Sequence, residues 1–155
     1  MNVHQKTLDA ASAQQSLDLA VIGNGRTAAL VDPMARIVWW CFPRFDGDPV
    51  FCRLLSGDEE KGFTDVVLDD VRVCESSYLR NTAVVSTVLT NSHGAAIRIT
   101  DFAPRFRNYG RTFRPPQLIR IIEPVSGLPR VTIRMGLIGE TIGKPKAPAN
   151  RRARC

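Results

Sequence analysis

Histidine is nearly absent from this sequence. His4 and His93 are the only two, one in a polar N-terminal stretch and one in an N-S-H-G turn, and neither is placed to act as a general base or a metal ligand. The four cysteines, Cys41, Cys52, Cys74 and Cys155, include no C-x-x-C and match no zinc spacing. None has a histidine expected beside it, and no serine sits in a G-x-S-x-G elbow, so nucleophilic catalysis lacks its parts. The opening residues MNVHQKTLDAASAQQS do not form a secretory leader, so free thiols in a reducing, cytoplasmic compartment are expected rather than disulfides. No run approaches the roughly 20 apolar residues of a membrane span. The G-N-G-R string at Gly23–Arg26 lacks the Lys-Ser/Thr ending of a phosphate loop. No cofactor, no metal and no membrane contact are expected.

What is present is one domain's worth of chain: 155 residues, 44% of them hydrophobic. The net charge of +6 is concentrated at one end, because residues 136–155 carry Lys144, Lys146, Arg151, Arg152 and Arg154 against Glu140 alone. A solvated tail with weak polyanion binding at most is the expected consequence. The expected organisation is a disordered N-terminus at 1–16, a folded domain at 17–136 and a basic, truncated or disordered tail at 137–155.

Within the domain the apolar pattern has period two and no amphipathic helix stands out. Leu17–Ile22 and Arg26–Val31 read as two strands about a glycine turn. Tyr78–Thr90 reads as one long strand, paired through the Asn91–Gly94 turn with Ala95–Phe102. Gln117–Pro124 and Arg130–Met135 read as a second hairpin about Ser126-Gly127. Between these hairpins Arg105–Pro116 carries Arg105, Arg107, Arg111 and Arg114 among Phe106, Tyr109 and Phe113. Such a mixture can bind single-stranded nucleic acid. An irregular link whose aromatics fold back on the sheet edge is the reading favoured here, and nucleic acid is not the expected partner. Seven to ten short strands indicate an all-β antiparallel β-sandwich, with a closed barrel as the alternative.

The densest stretch is Arg36–Leu55, where Trp39, Trp40, Phe42, Phe45 and Phe51 place five of eleven aromatics within thirteen residues. Pro43, Gly47 and Pro49 turn the chain there, so Arg44 and Asp46 are expected on an aromatic-walled loop beyond a strand. Asp46, Asp48 and Asp101 are carboxylates that an acid–base pair could use. Turn and ion-pair roles are the plainer reading of all three, and no catalytic residue is assigned.

Four ordered blocks carry a resemblance: Ile22–Val31 (IGNGRTAALV), Trp39–Phe51 (WWCFPRFDGDPVF), Tyr78–Thr90 (YLRNTAVVSTVLT) and Ile99–Arg105 (ITDFAPR). Together they resemble the N-terminal domain of prokaryotic glycoside hydrolase family 15, the glucoamylase-like and trehalase-like enzymes of carbohydrate metabolism. The resemblance implies a β-sandwich of the super-sandwich type preceding an (α/α)6 barrel whose two glutamates perform inverting hydrolysis. That barrel is absent from these residues, and Glu59, Glu60, Glu75, Glu123 and Glu140 match none of its motifs. The implied partners are the catalytic barrel or a split-enzyme half, with α-glucan or trehalose as the sugar, and self-association through an exposed sheet face. Trp39, Trp40, Arg44, Phe45 and Asp46 are the residues expected to meet substrate or the barrel. A free-standing carbohydrate-binding module with a bared Trp39 or Trp40 is the alternative, and a weak nucleic-acid binder acting through the tail is the second.

Overall fold

The computed structural model describes residues 6–7, 17–56 and 61–137. They form β1 (Lys6–Thr7), β2 (Ala20–Gly23), β3 (Ala28–Val31), β4 (Ile37–Cys41), β5 (Pro49–Phe51), the single turn α1 (Arg53–Ser56), β6 (Phe63–Leu68), β7 (Val71–Tyr78), β8 (Val85–Asn91), β9 (Ala96–Phe102), β10 (Phe106–Asn108), β11 (Arg111–Phe113), β12 (Ile119–Ser126) and β13 (Val131–Gly136). Strands β1-β7-β8-β9-β12 make sheet I, and β13-β6-β4-β3-β2, with β5 beside β4, make sheet II. Every pairing is antiparallel. No helix among the described residues is long and apolar enough to cross a membrane.

The chain is a β-sandwich because alternate residues of both sheets meet in one interior. Val66 and Leu68 of β6 share a cluster with Cys74, Leu89, Ile97 and Ile99 of sheet I. Ile22, Ala29, Val31, Ile37 and Phe51 of sheet II share another with Val85 of β8. Burying each such aliphatic side chain is worth about 1.5–3 kcal/mol.

Three local expectations are corrected. The run Tyr78–Thr90 is not one strand: Asn81 adopts a left-handed φ of 58°, and the Thr82 hydroxyl bonds the Leu79 carbonyl and the Val84 amide, turning β7 back onto β8. The expected hairpin between 117–124 and 130–135 does not form, since β12 pairs with β9 and β13 with β6, in different sheets. Gly127 makes the crossing possible; its φ is 67° and a Cβ there would stand 3.1 Å from Ala95 Cβ. The link 105–116 is itself a hairpin of β10 and β11, and its aromatics do not fold back. Phe106 and Phe113 stack on each other at 5.5 Å, while Tyr109 at the tip is 94% exposed.

Lys6 and Thr7 pair with Cys74 and Val73, so the ladder includes residues ahead of position 17. The remainder of the expected N-terminal end, and the tail beyond residue 137, lie outside the described residues.

Cys41, Cys52 and Cys74 are buried. The Cys74 thiol donates to the Pro33 carbonyl at 2.7 Å, and burial, reinforced by Asp32 and Glu75, pushes its pKa up to about 11. Thiolate is the reactive form. Native protein at pH 8 is therefore expected to leave Cys74 unlabelled by iodoacetamide, with labelling restored in denaturant; peptide mass spectrometry reads the difference, and rapid native labelling would show that the thiol is accessible.

Candidate functional site

The loop Phe42–Asp48 is built outward from β4. Neighbouring residues of a strand face opposite ways, and the register assigns Trp40 to the interior with Ala29 and Phe51, leaving Trp39 on the outer face with Leu30. The Trp40 indole donates to the Thr27 hydroxyl at 2.8 Å and packs against Phe42 and Phe51, with ring centroids 5.3 and 6.0 Å away. Trp40 is therefore a footing for the loop, its ring partly buried. Trp39 is half-buried.

Beyond Cys41 the chain turns through a cis Phe42-Pro43 bond. The Gly47 amide closes on the Arg44 carbonyl at 3.0 Å. A Cβ at Gly47 would lie 2.9 Å from the Phe42 carbonyl, so only glycine fits. At the crest, Arg44 Nε and Nη2 donate to Asp46 Oδ1 and Oδ2 at 2.9 and 3.2 Å, a two-pronged fork. Their side chains are 73% and 72% exposed. An ion pair so wet contributes about 0–1 kcal/mol, so stability alone does not account for it. Phe42 and Phe45 are exposed beside it. Of the five residues singled out in the sequence, Arg44, Phe45 and Asp46 come together at this crest, while Trp40 supports it from below and Trp39 faces away.

Of the other carboxylates, Asp101 is committed elsewhere, while Asp48 is tied into the loop by its backbone. Asp48 accepts the Phe42 amide through its own backbone carbonyl, at 3.4 Å. Asp101 is wholly buried, with both oxygens held by Arg120 at 2.7 and 2.9 Å. Arg120 reaches on to the carbonyls of Ala35 and Thr64, tying sheet I to sheet II. His93 is exposed and bonds Ser92; His4 lies outside the described residues. Among the described residues no three His, Cys, Asp or Glu side chains are placed to hold a metal ion.

Two polar constellations escaped the sequence reading. Asp65 receives Arg36 and Arg134 on the outer face of sheet II, and the guanidinium groups of Arg36, Arg53 and Arg134 stand 4.8–5.6 Å from the Phe63 ring. The hydrogen bonds it donates to Asp65 hold Arg134 still more firmly protonated. Asp32, whose carboxylate accepts the Met34 and Arg36 amides, is pushed up in pKa chiefly by burial. A charged residue inside a run of valines or isoleucines, as at Asp65 and Asp101, was the available signal.

Comparison with known proteins places this geometry in context. A family model described as "Trehalase-like, N-terminal" matches residues 4–135. Trehalase 1 of Sulfolobus acidocaldarius is 42% identical over 86 residues, 56% of this chain and 15% of that protein. The trehalase of Thermoplasma volcanium is 32% identical over 113 residues, 72% of this chain and 18% of that protein. The chain thus spans less than a fifth of either relative's length. No solved structure matches.

Proposed function

Because the chain belongs to the trehalase-like N-terminal family, we propose that it is a non-catalytic β-sandwich domain that docks against, and orients, the catalytic part of a trehalase-type or glucoamylase-type glycoside hydrolase. The observation that carries this reading is the Arg44–Asp46 fork. It is fixed on a tight loop with both side chains largely exposed, adds little to stability, and has the partly exposed Phe42 and Phe45 rings beside it. Contact is the use left for it. The guanidinium Nη1 and the outer carboxylate lone pairs remain available, and aromatic rings beside a charged fork suit a protein surface. The same pairing of ring face and hydroxyl-binding fork also suits a sugar, which makes a trehalose or α-glucan contact at this loop the second reading.

The test is hydrolysis of trehalose and maltooligosaccharides by the purified chain, alone and with a separately expressed family 15 catalytic part. The chain alone is expected to be silent and to bind the catalytic part. Arg44→Ala is expected to weaken that complex about tenfold, the loss of an interface arginine anchor, while unfolding shifts by no more than about 1 kcal/mol. Turnover by the chain alone would overturn the non-catalytic reading. An unchanged complex with weakened sugar affinity would move the fork from docking to substrate.

A further inference from the structure

The two edges of sheet II are treated differently. At β2 the outward backbone of Val21 is occupied, its amide and carbonyl both bonded to the Tyr78 hydroxyl at 2.6 and 3.0 Å. At β13, the other edge, no strand lies beyond among the described residues. Register sharpens the contrast. Val131, Ile133 and Met135 stand opposite Leu68, Val66 and Thr64 of β6, so they project on the face where Val66 and Leu68 form the core. Yet Ile133 is 61% and Met135 64% exposed, and Leu128 and Leu137 flank them in the open. Among the described residues, an interior face is therefore left bare on a strand whose far edge is unpaired. Sheet edges of this kind are ordinarily blunted by lysine, proline or an inward charge. Residues 131–136 (VTIRMG) contain no lysine and no proline. Their one charge, Arg134, points to the outer face, where Asp65 neutralises it.

We propose that β13 is a self-association edge on which a second copy of this chain adds its own β13 antiparallel, about a two-fold axis through Ile133. In that register Ile133 meets its own copy and Val131 meets Met135, bringing the two bare interior faces together. Arg134 falls opposite Thr132, so no like charges oppose one another. Backbone pairing supplies affinity as it does whenever a strand is added to a sheet edge, and an antiparallel strand paired with itself has the self-complementarity a two-fold interface requires. The proposal rests on the register of β13 alone and is independent of the docking role of the Arg44 loop.

Light scattering and sedimentation of the intact chain, in reductant and across the micromolar range, test it. A particle about twice 17.2 kDa is expected, with slowed amide exchange at Thr132–Met135. Ile133→Lys is expected to weaken the dimer at least tenfold with an unchanged circular dichroism spectrum, because the position is already solvent-facing. Ile133→Val is expected to retain it, and Val21→Lys on the opposite edge to have no effect. A monomer throughout the range, or a dimer indifferent to Ile133→Lys, would overturn the proposal. So would a monomer with protected β13 amides, which would assign the face to the chain's own residues 138–155.

Discussion

Replacing Arg120 by alanine is expected to remove about 3–5 kcal/mol of folding stability, the cost of stranding one member of a buried ion pair. Asp101 is 0% exposed and takes both of its carboxylate bonds from this guanidinium. Without it, a charge is left in the interior with neither partner nor water. Two further bonds, to the carbonyls of Ala35 and Thr64, are lost at once. These cross from sheet I to the β3–β4 turn and to β6, so the substitution also loosens the joint between the layers. Small domains commonly hold only 5–15 kcal/mol in all. The variant is thus expected near the edge of folding, which a guanidinium titration reads as a lower midpoint.

Asp101→Asn is expected to be milder, because a neutral amide oxygen still accepts one bond and the Arg120 charge it leaves unpaired is partly exposed and keeps its bonds to the Ala35 and Thr64 carbonyls. The double variant Arg120→Met/Asp101→Val is expected to recover part of the loss, since removing both ions also removes their desolvation cost. If the double variant cost as much as the two single losses added together, the pair would not be coupled and the interior-charge account would fail.

This pair shows where a one-dimensional pattern stops being informative. Ile97, Ile99 and Asp101 share one strand face, yet Asp101 lies inside with the isoleucines. Alternation assigns the face but not the chemistry, because the neutralising arginine comes from β12, nineteen residues on. The β8–β9 hairpin was legible because its instructions are local: the Asn91 carboxamide oxygen receives the His93 and Ala95 amides within the turn itself. Ser126-Gly127 has the same composition as a hairpin turn, but its flanking strands find better partners in β9 and β6, and only three-dimensional competition decides between them. In the candidate site, Arg44 and Asp46 were legible as neighbours two residues apart in a tight loop. Trp39 and Trp40 could have been separated by the period-two rule, which sends adjacent strand residues to opposite faces. The Trp40–Thr27 bond joins β4 to the β2–β3 turn and leaves no local trace.

Asn24→Ala is the second large loss expected, about 2–4 kcal/mol, and it turns the weakly phosphate-loop-like G-N-G-R string into a structural clasp. Asn24 is buried. Its Oδ1 accepts the Arg26 and Thr27 amides at 2.9 and 3.2 Å, shaping the β2–β3 turn. Its Nδ2 donates to the carbonyls of Pro104 and Pro115 at 2.9 and 2.8 Å, so the same side chain fastens both ends of the segment that bears the β10–β11 hairpin. Alanine leaves two amides and two carbonyls without these partners, and each buried group left unsatisfied costs about 1–3 kcal/mol, less where water can enter. Asn24→Asp separates the two halves of the clasp. It preserves the acceptor facing the turn but sets a carboxylate oxygen against two carbonyls, so at neutral pH a loss comparable to that of alanine is expected. If Asn24→Asp were as stable as the parent, the donor side would contribute nothing and the turn alone would explain the asparagine. With the clasp open, proteolysis is expected first within 105–114, the exposed arginine-bearing ribbon that Asn24 anchors; limited trypsin digestion of parent and variant would show whether that hairpin is held at its base as these four bonds imply.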